Sequence, residues 1–143
     1  MTTRVLIDRL SRGFAGGALG ALANSLVVWA CGALGVTAAA GVKIAPALTP
    51  AWLYPRIVWG GLWGLLLLVP VFKRSAVVRG VVLSLLPTAA TLLIFFPLKG
   101  KGLLGQQLGL LTPVFPLIFN AIWGAVAGWW YGCGEARSAR ETA

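Results

Sequence analysis

The sequence contains no histidine, and its three acidic residues, Asp8, Glu135 and Glu141, lie near the two ends of the chain. A chain without histidine or an interior carboxylate lacks the usual general acids and bases of catalysis. It also lacks an axial histidine for haem and a cluster of ligands for a transition metal. Transport coupled to protons through a membrane carboxylate is excluded for the same reason. The sequence therefore predicts a protein that is not an enzyme and that holds no cofactor and no metal.

Charged side chains of either sign are also scarce. They make up 10% of the residues, whereas 59% are hydrophobic. Soluble domains contain about 25% charged residues and roughly 45–50% apolar ones, so this chain has too few polar side chains to cover a surface in water. The bilayer is therefore the expected solvent. Cysteine is rare as well, and the spacing of Cys31 and Cys133 indicates neither a disulfide framework nor a metal site.

Long uncharged runs occupy most of the sequence. About 20 helical residues cross a bilayer core of about 30 Å, and four runs come near that length. We predict a single membrane domain over residues 1–143, with an all-α fold of four transmembrane helices and a short amphipathic N-terminal helix. The predicted segments are the interfacial helix 1–12, the transmembrane helices 14–36, 55–72, 79–97 and 114–132, and the polar tail 135–143. The glycine- and proline-rich connections 41–54 and 99–113 either lie flat on the interface or re-enter the membrane.

The basic residues decide the predicted orientation. The net charge is +9, and the N-terminal segment, the connection 73–79 and the tail carry eight Lys and Arg, against four in the opposite connections. The positive-inside rule then places both termini in the cytoplasm and the protein in the inner (plasma) membrane. The charges lie between apolar runs, where they meet lipid head groups rather than nucleic acid. The first span is longer than the hydrophobic region of a cleaved signal peptide, and we expect it to be retained.

Similar short motifs recur in the two halves of the chain. The first half contains Arg12-Gly13, Leu48-Thr49-Pro50 and Trp63-Gly64, and the second contains Arg79-Gly80, Leu111-Thr112-Pro113 and Trp123-Gly124. Each half would be a hairpin of two spans, and two such hairpins would be parallel repeats related about the membrane normal. The alternative is that the matches arise by chance in so biased a composition.

Small residues form stripes on the first and fourth spans, which run antiparallel in a four-span chain. The predicted helix-packing seam consists of Gly13, Gly17, Gly20 and Asn24 on the first span and of Asn120, Gly124, Gly128 and Gly132 on the fourth. Small residues let helix backbones approach closely, and the two asparagines would bridge the helices by hydrogen bonding. Two other interpretations stay open. The asparagines line a pore or a substrate site, or the first stripe joins two copies of the chain.

Three cations on the outer side are candidate contacts for an anion or a lipid head group. Arg56 follows Trp52 and Pro55 where the second span begins. It either holds a lipid phosphate or an anionic substrate, or extends to the head groups beside the aromatic residues. Lys99 and Lys101 offer two ammonium charges to a phosphate in a glycine-rich connection. A flexible contact with head groups is the alternative for this pair.

These features lead to two hypotheses about function. The first is a small non-enzymatic inner-membrane protein that binds lipid or acts as an accessory or assembly partner of other membrane components. Its expected partners are membrane lipids and other membrane proteins or further copies of itself, and not nucleic acid. The alternative is a small oligomeric channel or transporter for an anion or an uncharged solute.

Overall fold

A computed structural model describes residues 3–72 and 75–141 of the chain, and all regular structure in these residues is helical. Four helices are long and apolar enough to cross a membrane. They are α1 (Thr3–Ala33), α2 (Pro50–Leu68), α3 (Ala76–Leu98) and α4 (Val114–Glu141). Short helical turns at Val36–Ala39 and Leu103–Leu108 lie in the two long connections.

Side-chain caps decide where α2 and α3 begin. The Thr49 hydroxyl accepts a hydrogen bond from the backbone N–H of Trp52 at 3.2 Å, and Pro50 occupies the first helical position. Both are strong helix-starting features. α2 therefore begins before the predicted residue 55, and Pro55 lies inside it. Ser75 caps α3 in the same way, accepting from the N–H of Val78 at 3.2 Å.

The C-terminal half of α3 departs from regular α-helix. The chain is π-helical over Thr91–Phe95, just after Pro87, which has no N–H to donate. Hydroxyl groups on this helix donate to carbonyl oxygens of the preceding turn, a pattern associated with helix bending. These bonds are 2.7 Å from Ser84 to Val81, 2.8 Å from Thr88 to Ser84 and 2.8 Å from Thr91 to Pro87.

The helices pack in the order α2, α1, α4, α3, so that α1 and α4 are the inner pair. Between them lies a buried cluster of apolar side chains that consists of Ala21, Leu67, Trp123, Ala127 and Tyr131. α2 and α3 approach each other through the last turn of α2 and through the rings of Trp59 and Phe95, whose centroids are 6.4 Å apart. We call the end where α1 begins and α4 ends the terminal end, and the opposite end the loop end.

Glycines bring three pairs of helices into backbone contact, and the predicted direct packing of the first span on the fourth is one of them, but the predicted stripes do not lie against each other. A Cβ added at Gly17 would overlap the carbonyl oxygen of Gly60 on α2, and one at Gly64 would overlap that of Gly13. A second row on α1, formed by Gly16 and Gly20, faces α4. A Cβ added at Gly20 would lie 2.6 Å from the carbonyl oxygen of Trp123. α1 therefore places one row of glycines against each of its two neighbours.

The glycine stripe of α4 faces α3 rather than α1. A Cβ at Gly124 would overlap the carbonyl oxygen of Gly80, and one at Gly128 would overlap that of Ala76. Gly132 also faces Ala76, because a Cβ added at Gly132 would lie 2.9 Å from the Cβ of Ala76. The predicted opposition of the two stripes is therefore wrong. A glycine row makes one face of a helix smooth, but it does not determine which smooth face will lie against it.

Both predicted terminal segments are continuous with the adjoining helices. α1 runs without a break from Thr3 through the predicted boundary at residue 12, where Arg12 forms an ion pair with Asp8 one turn earlier. No separate N-terminal helix is present in the described residues. The tail predicted from residue 135 is helical to Glu141. Residues 1–2 and 142–143 of these two segments, and 73–74 of the basic connection, lie outside the described residues.

The two long connections pack against each other at the loop end. The backbone N–H of Lys43 donates to the carbonyl oxygen of Leu108 at 2.7 Å. Gly109 lies directly against the carbonyl oxygen of Gly41. Gly105, which has a φ of 72°, is buried beneath the ring of Phe96. These contacts hold the two connections together at the loop end.

Candidate anion site at Arg56

Arg56 extends from α2 across to α1. It lies six residues after Pro50, which is about 9 Å along a helix that rises 1.5 Å per residue. Its Nε donates to the hydroxyl of Ser25 at 2.9 Å, and its Nη2 donates to Oδ1 of Asn24 at 2.7 Å. Both acceptors are buried, Ser25 with 0% and Asn24 with 5% of its surface exposed. The guanidinium is thus fixed by two neutral groups of the neighbouring helix.

Asn24 connects this pair of helices to a third. Its Nδ2 donates to the carbonyl oxygen of Phe119 on α4 at 2.6 Å. Because the amide nitrogen is engaged on that side, the amide oxygen faces Arg56. The orientation of the amide is therefore set by α4, and the position of the guanidinium depends on helices α1, α2 and α4 together.

Trp52 covers one face of the guanidinium. The Arg56 Cζ atom lies 4.6 Å from the centroid of the Trp52 ring, one helical turn earlier on α2. A cation over the face of a tryptophan is attracted by the negative potential of the ring. This contact stabilises the charge without neutralising it.

The positive charge of Arg56 has no acidic partner among the described residues. Asp8 and Glu135 lie at the terminal end, where they pair with Arg12 and Arg79. A cation that contacts only neutral groups inside a membrane protein is electrostatically costly. An anion supplied from outside the chain would compensate it.

The level of Arg56 carries a second polar contact, between α4 and α3. Nδ2 of Asn120 donates to the hydroxyl of Thr88 at 3.1 Å. The predicted bridge between Asn24 and Asn120 is therefore wrong. Asn24 bonds to the backbone of Phe119 on α4. The next residue, Asn120, lies about 100° further around α4, and its side chain points to α3. Polar contacts at this level nevertheless involve all four helices.

Lys99 and Lys101 do not join the Arg56 cluster. Both are exposed in the turn that follows α3. Within the described part of the chain, neither makes a side-chain hydrogen bond or ion pair with Arg56, Asn24 or Ser25. The structure thus brings Arg56 together with Asn24, which we had predicted only in the seam between the first and fourth spans. The two lysines lie apart from this pair.

Sequence reasoning missed a second charged cluster, at the terminal end. Arg79 is only 5% exposed, and its Nη2 lies 2.9 Å from Oε2 of Glu135. Its Cζ is 5.2 Å from the ring centroid of Tyr131, whose hydroxyl accepts from Nε of Arg9 at 3.3 Å. The sequence does indicate this contact, because Arg79 begins the third span and Glu135 follows the fourth. Opposite charges at the same end of two consecutive spans are expected to meet in a hairpin.

The residues described hold no group of three or more His, Cys, Asp or Glu side chains that could bind a metal ion. No protein-family model, no curated protein and no solved structure matches the chain. A function is therefore inferred from the geometry around Arg56.

Proposed function

We propose that this chain is a non-enzymatic integral protein of the inner membrane that binds anionic lipid. In that role it serves as an accessory or assembly partner of other membrane components. The observation that carries the proposal is the guanidinium of Arg56, which is held by Asn24 and Ser25 and, in the part of the chain that the structure describes, contacts no carboxylate. Burial of a cation is unfavourable unless an opposite charge compensates it. The phosphate of a membrane lipid supplies that charge without a further protein.

The proposed orientation has both termini in the cytoplasm, as the distribution of Lys and Arg indicates. α2 has 19 residues and extends over about 28 Å, close to the thickness of the hydrocarbon core. In this orientation Arg56 lies just below the outer surface, where a lipid phosphate can meet it. The first turns of α1, with Arg4 and Asp8, would form an amphipathic segment at the inner interface.

The proposal includes two parallel repeats of a two-helix hairpin. In the first half, Gly13 of the Arg-Gly motif contacts Gly64 of the Trp-Gly motif. In the second half, Gly80 of the Arg-Gly motif contacts Gly124 of the Trp-Gly motif. The same motifs thus close both hairpins, which supports an internal duplication.

Co-purification tests the proposed function. Wild-type protein and the Arg56→Ala variant would be purified in a gentle detergent, and their bound lipids and proteins identified by native mass spectrometry. We expect anionic phospholipid on the wild type and a clear loss of it from Arg56→Ala. Lys101→Ala removes an exposed charge from the same end of the bundle and serves as the control. Equal lipid on wild type and Arg56→Ala would refute the proposal.

A small oligomeric channel or transporter for an anion or an uncharged solute is the second candidate. It is favoured by the polar contacts at the level of Arg56, which extend through Asn24 and Phe119 on one side and through Asn120 and Thr88 on the other. Purified protein in liposomes distinguishes the two candidates. Flux of an anion that Arg56→Ala or Asn24→Ala abolishes would favour this function, and liposomes without flux would favour lipid binding.

A further inference from the structure

We infer that Arg56 binds a phosphate group end-on, through its Nη1 and Nη2 atoms, and that Asn24 is the positioning residue that leaves this edge free. The inference rests on the proposed function and specifies the ligand of the same site. The shared chemistry is a phosphate with two oxygen atoms presented to one guanidinium. Its source is either the head group of a phospholipid or a free phosphate ion, and the experiment separates the two.

The hydrogen bonds of Arg56 occupy one edge of the guanidinium. Five N–H groups radiate from this planar group. Nε and one N–H of Nη2 form its side edge, and both point to α1, to Ser25 and Asn24. The end edge is formed by Nη1 and the second N–H of Nη2. Nη1 makes no hydrogen bond to any residue in the ranges that the structure describes, and the side chain is only half-buried.

The free edge matches the geometry of a phosphate. Two parallel N–H groups of an arginine pair with two oxygen atoms of one phosphate, which adds directional specificity to the attraction of the charges. Trp52 covers one face of the guanidinium, so the ligand approaches in the plane of the group. A lysine at this position would keep the charge but would present a single point of contact.

Asn24 determines which edge remains free. Its Oδ1 accepts from Nη2, and it cannot rotate to present its amide nitrogen without losing the 2.6 Å bond to Phe119. If Asn24 were absent, the guanidinium would be free to turn its side edge toward the ligand or toward the backbone. We therefore expect Asn24 to affect ligand binding through Arg56 and not through a contact of its own.

The abundance of phosphate above the site favours a phosphate over the carboxylate of a fatty acid. Arg56 lies about 9 Å along α2 from the loop end. In the proposed orientation, the phospholipids of the outer leaflet present their phosphates at the surface above this level, and a head group that dips toward the bundle meets the guanidinium where Ser25 and Asn24 hold it. The bilayer thus supplies phosphate at the free edge at high local concentration.

The experiment measures binding by native mass spectrometry of the full chain released from detergent. The probes are phosphatidylglycerol, inorganic phosphate and palmitate. We expect Arg56→Ala and Arg56→Lys to reduce binding of the phosphate probe by about tenfold or more, because a charge-assisted hydrogen bond is lost in each. Asn24→Ala should reduce binding in the wild type and have no further effect in an Arg56→Lys background, because a lysine has no edge to position.

The outcomes separate this inference from the proposed function. Unchanged lipid binding in Arg56→Ala overturns both. Loss in Arg56→Ala with full binding in Arg56→Lys retains an anion site but overturns end-on recognition. Equal effects of Asn24→Ala in both backgrounds overturn the positioning role, since a purely structural effect would be additive. Thermal denaturation of each variant reports whether it is folded.

The probes identify the source of the phosphate. Arg56-dependent binding of phosphatidylglycerol that inorganic phosphate does not displace supports a lipid ligand. Arg56-dependent binding of inorganic phosphate alone supports a free ion and favours the channel or transporter function. Palmitate that binds as tightly as either phosphate probe overturns the assignment to phosphate.

Discussion

Nη2 of Arg79 lies 2.9 Å from Oε2 of Glu135, and this ion pair joins the beginning of α3 to the end of α4. The arginine side chain is 6% exposed and the carboxylate side chain 42%. The buried arginine therefore depends on a more exposed carboxylate for its counter-charge. This asymmetry makes Glu135 the more informative residue to change.

Glu135→Gln should destabilise the protein by about 1–3 kcal/mol, because it leaves the guanidinium of Arg79 buried without an opposite charge. The effect is smaller than for a fully buried pair, since solvent reaches Glu135. The measurement is thermal denaturation in detergent, followed by tryptophan fluorescence. Asp8→Asn is the matched control. It removes an equal charge from the more exposed pair with Arg12, whose side chains are 18% (Arg12) and 56% (Asp8) exposed, and should cost less than about 1 kcal/mol. Equal losses in the two variants would contradict a special role for the Arg79 pair.

Gly80→Ala should destabilise the hairpin of α3 and α4 by about 1–3 kcal/mol, the usual cost of overpacking. The added methyl group would overlap the carbonyl oxygen of Gly124, which is backbone and cannot rotate away. Gly132→Ala on the same seam meets only the side-chain methyl of Ala76 at 2.9 Å, and we expect a smaller loss. Denaturation midpoints of the two variants test the order. A larger loss for Gly132→Ala would show that the α3–α4 contact is not as close as described.

Periodicity and composition were sufficient to predict four helices and the contact between the first and the fourth, but not which glycine stripes face each other. Apolar length identifies a span, because the thickness of the bilayer sets it. Composition does not determine which helix packs against which face. Gly13 and Gly17 form one row of small residues on α1 and Gly20 belongs to another, and either row can lie against any helix that has a small residue at the same level. The site was predicted in the same partial way. Arg56 was recognised by its unusual position, but its contact with Asn24 required knowing that α1 and α2 share a glycine seam.

The thiol of Cys133 tests the proposed orientation. Cys133 is exposed near the end of α4, whereas Cys31 is half-buried. In a Cys31→Ala background, a membrane-impermeant thiol reagent added to intact cells should not label Cys133. The matched variant carries Lys101→Cys together with Cys31→Ala and Cys133→Ala. Its thiol lies at the loop end and should be labelled under the same conditions. Labelling of Cys133 with no labelling at position 101 would show that the topology is the reverse of the proposed one, with Arg56 near the cytoplasmic surface.

Stability in the presence of lipid links the Arg56 site to the folded state. A ligand that binds only the native protein stabilises it by about 2.7 kcal/mol at a concentration of 100 times its dissociation constant. Added phosphatidylglycerol should therefore raise the melting temperature of the wild type and of Lys101→Ala, and leave that of Arg56→Ala nearly unchanged. A zwitterionic phospholipid serves as the control for non-specific effects of lipid on the detergent micelle. Because Asn24 and Ser25 lose their donor in Arg56→Ala, this variant will melt lower even without lipid, and the informative quantity is the shift on addition of lipid. An equal shift in all three proteins would mean that the lipid binds elsewhere on the bundle.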